Sequence, residues 1–201
     1  MANNKNIQNH GSDFGSLIGQ LADSRMYERR QIFLAEAVMP ASAKPIISAL
    51  LSLDADKPGE PIKLFINSPG GDVNSGYAIH DIIKFIKSPV IIINAGLCAS
   101  IATVINVAAK KENRLSLPNS KFLIHQPLIS GQVQGQASDI EITARQIIKT
   151  RAKINKLLAD ETGTSLAQVE KDTVRDYWMD AEEAKKYGLI SKIITSINEI
   201  E

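Results

Sequence analysis

The chain has 201 residues, 44% of them hydrophobic and 22% charged, with a net charge of +1. That length can bury a core without metal or disulfide staples, and with near-neutrality nothing argues for nucleic acid or an acidic membrane surface as a partner. The single cysteine, Cys98, excludes an intrachain disulfide and fits a reducing compartment.

Residues 1–11 are polar and hold no apolar core of signal-peptide length, and the longest apolar runs are strand-sized. A cytoplasmic protein is expected, with a flexible N-terminal segment over residues 1–23 in which Phe14–Leu21 has sparse helical spacing. Gln31–Leu34 reads as a short strand. Ala41–Leu53 reads as a helix, with Ile46, Ile47, Leu50 and Leu51 on one face. After the turn at Lys57–Pro61, Ile62–Asn67 is a strand punctuated by Ser68-Pro69-Gly70-Gly71-Asp72. Ser75–Lys87 is helical by its isoleucine spacing, Val90–Ala95 is a buried strand, and a helix follows over Ser100–Lys110. Phe122–Ile124 is a further strand, ending at His125-Gln126-Pro127, and Ser130–Gln136 is a Gly- and Gln-rich loop. Ala137–Asp160 is a long helix of ~36 Å, two short helices follow at Leu166–Lys171 and Asp180–Lys186, and Leu189–Ile194 is a last strand. The strand–helix alternation predicts an α/β domain with a largely parallel sheet. The long helix, with a stripe of Ile140, Ala144, Ile147, Ile154 and Leu158, either projects toward another subunit or packs on its own domain.

Two strand ends attract chemistry. The double glycine Gly70-Gly71 permits φ > 0 and close approach of another chain, and free N–H groups there would make an anion nest; a tight turn is the commoner meaning of the same residues. Ser100 falls at a helix N-terminus, where unpaired N–H groups favour developing negative charge. It is either a nucleophile or an N-cap. The stretch lacks the Gly-x-Ser-x-Gly pattern of the α/β-hydrolase elbow, and Cys98 reads as a small buried hydrophobe. A serine needs a base. Of three histidines, His10 is in the N-terminal segment, His80 is mid-helix as a surface or packing residue, and His125 lies at the strand-end level where α/β sites form. Asp139, Asp172, Asp176 and Asp180 all remain open as the orienting acid. No metal-ligand spacing and no nucleotide-binding Gly-x-x-x-x-Gly-Lys-[Ser/Thr] pattern is present.

One ordered set of motifs is specific: Ile66-Asn67-Ser68-Pro69-Gly70-Gly71, Ala99-Ser100, Leu117-Pro118-Asn119-Ser120, His125-Gln126-Pro127, Gly135–Ile140 and Tyr187-Gly188-Leu189-Ile190. In this order and spacing they resemble the Clp protease proteolytic subunit, from about Ser24 to Ile194. The resemblance implies a crotonase-like α/β fold, with residues 24–201 as a single catalytic domain and the helix at about 137–160 as a projecting handle between rings. It implies a serine endopeptidase that cuts unfolded polypeptides to small peptides. Ser100 matches the family nucleophile, His125 the base and Asp176 the orienting acid, and Gly71 and Ile101 match the two backbone N–H donors of the oxyanion hole.

The resemblance also implies two stacked seven-membered rings, homomeric or mixed. An ATP-driven unfoldase would dock at apolar pockets that include the positions of Phe65, Phe85 and Leu115. The chain itself would bind no cofactor, ATP being used by the partner, and no metal, nucleic acid or membrane. Departures from the family pattern include an unrecognisable amino-terminal gating segment, a longer loop after Pro127, Ile101 in place of a common methionine, and Val174 in place of an acid beside Arg175. These features resemble paralogous subunits of mixed rings. A scaffold subunit serving an active paralogue and a crotonase-type acyl-CoA enzyme are the alternative readings.

Overall fold

A computed structural model describes residues 9–128 and 134–200. The chain opens with helix α1 (Asn9–Glu28), then strand β1 (Gln31–Leu34), helix α2 (Pro40–Asp56), strand β2 (Ile62–Ser68), helix α3 (Val73–Phe85) and strand β3 (Val90–Ala99). Helix α4 (Ile101–Asn106) leads to strands β4 (Arg114–Ser116) and β5 (Lys121–Ile124). Helices α5 (Ala137–Thr162) and α6 (Leu166–Asp172), strand β6 (Tyr177–Met179), helix α7 (Ala181–Tyr187) and strand β7 (Lys192–Ile193) complete the chain.

The sheet runs β1-β2-β3-β4-β7, parallel throughout, as strand–helix–strand crossovers require. β3 is its pivot. Val90–Asn94 lies between β2 and β4, whereas Leu97–Ala99 pairs with β5. The change of partner is made at an irregularity. The β2–β3 register shifts between Ile66 and Ser68, and the intervening Asn67 accepts the Leu97 N–H on its side-chain Oδ1 at 3.0 Å. Gly96 has φ 125°, and a Cβ there would stand 2.6 Å from that same oxygen. The bulge therefore bends the end of β3 off the main sheet and toward β5.

The core is aliphatic and lies between the sheet and the helices α2, α3, α4 and the root of α5; Leu34, Leu64, Ile66, Ile92, Ile105 and Leu158 are among its buried members. Arg114 is 1% exposed within it. Its guanidinium donates to the carbonyls of Ala109, Val107 and Glu161 at 2.8–2.9 Å and pairs with the Glu161 carboxylate, so the buried charge is both hydrogen-bonded and paired.

Several elements differ from the sequence reading for identifiable reasons. The helix expected over Ser100–Lys110 stops at Asn106, because the next carbonyls turn to Arg114. β4 and β6 were not expected. Each has three residues, β4 carries Arg114 and Ser116, and β6 shows Tyr177 and Trp178 to solvent, so neither has an apolar run to betray it. The expected strand Leu189–Ile194 shrinks to Lys192–Ile193, since Leu189 gives its carbonyl to Asn106 Nδ2 instead of to a ladder. Within the segment expected to be flexible over 1–23, the backbone is helical from Asn9, although Leu17, Ile18 and Leu21 are about half exposed. The Gly- and Gln-rich loop lies largely outside the described residues, as do residues 1–8.

Helix α5 divides the two options left open for it. At 26 residues it is ~39 Å long. Its buried residues, Ile154, Asn155, Leu158, Ala159 and Thr162, all fall in the last three turns. Ile140, Ile142 and Ile148 in the first half are exposed. The root is packed on the domain and the distal half stands clear of it.

Candidate active site

Ser100 sits where β3 becomes α4. Its backbone has φ 57° and ψ −125°, a conformation that costs a non-glycine residue ~1–3 kcal/mol. Its N–H donates to Leu123 O at 2.8 Å, and its carbonyl receives the Thr103 N–H at 3.0 Å, which fixes the turn from both sides. The space comes from a neighbouring strand end. A Cβ on Gly70 would stand 2.5 Å from Ala99 O and 2.8 Å from the Ser100 Cβ. A strained strand-to-helix turn is thus built without glycines beside the serine, which explains why no elbow motif announces it. The side chain makes no cap hydrogen bond to α4. Its Oγ lies 2.8 Å from His125 Nε2.

His125 follows β5 directly. β5 pairs antiparallel with β6 in the register Phe122↔Met179, Leu123↔Trp178, Ile124↔Tyr177. One step further along that register stands His125 opposite Asp176, and His125 Nδ1 is 3.2 Å from Asp176 Oδ1. The imidazole side chain is 14% exposed and the carboxylate 62%.

The other candidate acids are placed otherwise. Asp180 caps α7 through the Glu183 N–H, Asp172 receives the Tyr187 hydroxyl and the Gln168 amide, and Asp139 lies in the first turn of α5. His80 is buried, with Nδ1 2.8 Å from Asp81 Oδ1, a packing role. Cys98 is fully buried, and burial pushes its thiol up, so it is held as the unreactive thiol.

Gly71 and Ile101 come to the same corner. Val38 bridges to this strand end through the Gly70 carbonyl and the Asp72 N–H, which leaves the Gly71 N–H outside the pairing. Ile101 is the first residue of α4, so its N–H has no carbonyl one turn back within the helix. The Gly70 Cβ position is 3.1 Å from the Ile101 nitrogen, so the Gly70-Gly71 backbone passes alongside.

A cavity of about 20 Å³ opens beside Ser100 and His125, with apolar walls from Val73, Val104, Ile154 and Leu158. Larger hollows of about 580 and 770 Å³ lie elsewhere on the surface, the first ringed by Lys84, Lys87 and Lys110, the second by Met39 and Ile47 between α2 and α3. Neither includes Ser100, His125 or Asp176 in its lining, so size does not locate the chemistry. Phe65 and Leu115 pack into one small apolar cluster with Ile93 and Ile194, and Phe65 stacks on Phe33 with ring centroids 5.9 Å apart. Phe85, at the end of α3, is outside that cluster and 79% exposed. Among the described residues no three His, Cys, Asp or Glu side chains could hold a metal ion, and no helix is long and apolar enough to cross a membrane.

The model of the Clp protease family matches residues 19–197. The chain belongs to the Clp protease family. Curated relatives are named as proteolytic subunits of the ATP-dependent Clp protease. Subunit 3 of Rhizobium meliloti is 48% identical over 183 residues, 91% of this chain and 92% of the relative. Subunit 1 of Protochlamydia amoebophila is 40% identical over 100% of this chain and 99% of its own length. A solved structure of a ClpP1 point mutant from Listeria monocytogenes superposes with a TM-score of 0.82 at 39% identity, covering 90% of this chain and 99% of the other. The parallel sheet with its antiparallel β5–β6 extension is accordingly the crotonase-like fold of a Clp protease.

The sequence signal for the Ser100 turn and for His125 was local. That for Asp176 was not, because its place depends on the register of the short β6. Gln126, Thr173 and Asn155, which tie the His125 and Asp176 segments together, carried no signal apart from Gln126 belonging to a motif.

Proposed function

We propose that this Clp-family chain is a serine endopeptidase subunit. The observation that carries the reading is the 2.8 Å contact between Ser100 Oγ and His125 Nε2, made by a serine in a strained turn whose side chain caps nothing. Ser100 loses its proton to His125 as the oxygen attacks the scissile carbonyl. Asp176 holds the imidazole with Nδ1 protonated and stabilises the imidazolium that forms. His125 then gives the proton to the leaving amine, and water repeats the sequence to free the acyl group. The carbonyl oxygen, turning into an oxyanion, takes hydrogen bonds from the Gly71 and Ile101 N–H groups at the positive end of α4. The walls beside Ser100, from Val73, Val104, Ile154 and Leu158, offer no counter-charge, so a charged side chain placed next to the scissile bond would be disfavoured.

The substrate is an unfolded polypeptide. The subunit works in a double seven-membered ring, homomeric or mixed, fed by an ATP-driven unfoldase that docks at the apolar surface near Phe65, Phe85 and Leu115. The exposed distal half of α5 supplies the ring-to-ring contact. The chain itself binds no nucleotide or metal and works in the cytoplasm. Hydrolysis of a short fluorogenic peptide with an apolar residue before the reporter, by purified protein whose native mass is measured alongside, tests the assignment. Activity in the parent chain that vanishes in Ser100→Ala supports it. Equal activity in both proteins, or none in either when the ring has assembled, contradicts it.

A further inference from the structure

Asp176 cannot be held by packing. Its side chain is 62% exposed, and the residue lies in the short stretch between α6 and β6. What fixes it is a frame of backbone hydrogen bonds. On the C-terminal side the frame is the β5–β6 ladder, ending at Ile124↔Tyr177. On the N-terminal side it is one residue, Gln126, next in chain to His125. Gln126 donates its backbone N–H to Thr173 O at 2.7 Å and its side-chain Nε2–H to Val174 O at 2.8 Å. Its amide is oriented for this, because Oε1 faces Arg151 Nη1 of α5 at 3.4 Å. Thr173 is itself anchored: it is 1% exposed, with Oγ1 2.8 Å from Val169 O and 3.1 Å from Oδ1 of the buried Asn155.

We propose that Gln126 is a positioning residue for the His125–Asp176 pair, its side-chain amide holding the acid-bearing segment at the separation the imidazole needs. The inference rests on the reading of Ser100, His125 and Asp176 as a triad. Gln126 touches neither substrate nor the reacting atoms. It acts on the far end of the relay by clamping Val174, two residues before Asp176, to the residue after His125. Between the anchored Thr173 and the ladder at Tyr177, the Gln126 side-chain bond to Val174 O is the cross-link that draws the Val174–Asp176 stretch toward the His125 segment. A carboxylate that is free to swing loses the imidazole to water, and misplacement of about 1 Å in such a constellation costs ~10²-fold in rate.

The test is Gln126→Met, which keeps length and the backbone N–H but removes the side-chain donor, made in the parent chain and in an Asp176→Asn background. The half-buried site and the retained backbone bond let the variant fold, which native mass verifies. In the parent background kcat should fall by about 10- to 100-fold with KM unchanged within twofold. In the Asp176→Asn background the same change should cost less than threefold, because the group being positioned is already compromised. A crystal structure of Gln126→Met should show the His125 Nδ1 to Asp176 Oδ1 separation opened beyond about 4 Å, out of hydrogen-bond range. Equal losses in both backgrounds, or a separation unchanged from the parent's, overturn the inference. A parent chain that hydrolyses nothing overturns the triad reading instead, and the separation in the crystal structure still decides the role of Gln126.

Discussion

The two ends of the proposed Ser100–His125–Asp176 relay are held by opposite means. Ser100 is fixed by its own backbone: a positive φ, two main-chain hydrogen bonds and the Gly70 strand end packed against it. Asp176 sits on the surface in a stretch fixed by its neighbours, through a three-residue strand on one side and the Gln126 clamp on the other. The first arrangement stores strain and cannot adjust without refolding the turn. The second, on the inference drawn above, loosens when the Gln126 side-chain bond is lost. In the proposed triad, a nucleophile that must meet a carbonyl at a set angle gains from rigidity, whereas the acid would touch no substrate and would be aligned from outside.

That contrast predicts a graded series of losses. Ser100→Ala should remove peptide hydrolysis to background, a drop on the order of 10⁶-fold, with the fold intact by thermal melting. Removing the hydroxyl leaves the strained backbone turn and the acid segment in place, so the His125–Asp176 separation should be unchanged in its crystal structure. Asp176→Asn should lower kcat on the order of 10⁴-fold while leaving KM and melting temperature near the parent values. Near-normal turnover would break the comparison, showing that an exposed acid contributes little. Gly70→Ala should act on the strained end. A Cβ would collide with Ala99 O, and the residue has φ 83°, so a loss of about 1–3 kcal/mol in stability is expected by chemical denaturation, together with reduced turnover.

A smaller effect concerns the root of α5, on which Asn155 and the acid side depend. Burial tends to raise the Glu161 carboxyl, but Lys84 and Arg114 outweigh it and hold it below the ordinary glutamate value of 4.5. A carboxylate depressed in the folded state stabilises fully above the unfolded value and loses that contribution as pH falls through the folded one. The stability gap between the parent chain and Glu161→Gln should be constant near neutrality and close as pH drops below about 4.5. Ile148→Lys, on the exposed half of α5, should change the stability of the isolated subunit by no more than about 0.5 kcal/mol.

How much was legible in the sequence follows the same division. β3 announces itself by the continuous run Val90–Ile93, β2 by its apolar residues ahead of the Pro-Gly-Gly turn and α3 by Ile79, Ile82 and Ile83 at helical spacing, and the length of α5 is plain from its stripe. The place of Ser100 is readable because strand and helix patterns meet there, but its positive φ is not, since the glycine that makes room lies thirty residues earlier, at Gly70. Asp176 could not be chosen from spacing among four aspartates. Its position depends on a strand, β6, with too few residues and too much solvent exposure to leave a pattern. Arg114 was missed for a related reason. A charged residue in a three-residue strand reads as surface, and its burial makes sense only once the carbonyls left free after α4 and near the end of α5 converge on it.

The central claim is that His125 activates the Ser100 oxygen. Reaction of the folded protein with a fluorophosphonate, followed by peptide mapping, measures this directly. One adduct on Ser100, abolished in His125→Ala, is the expected result. A folded, assembled protein that takes no adduct, or takes it on another residue, would contradict the account.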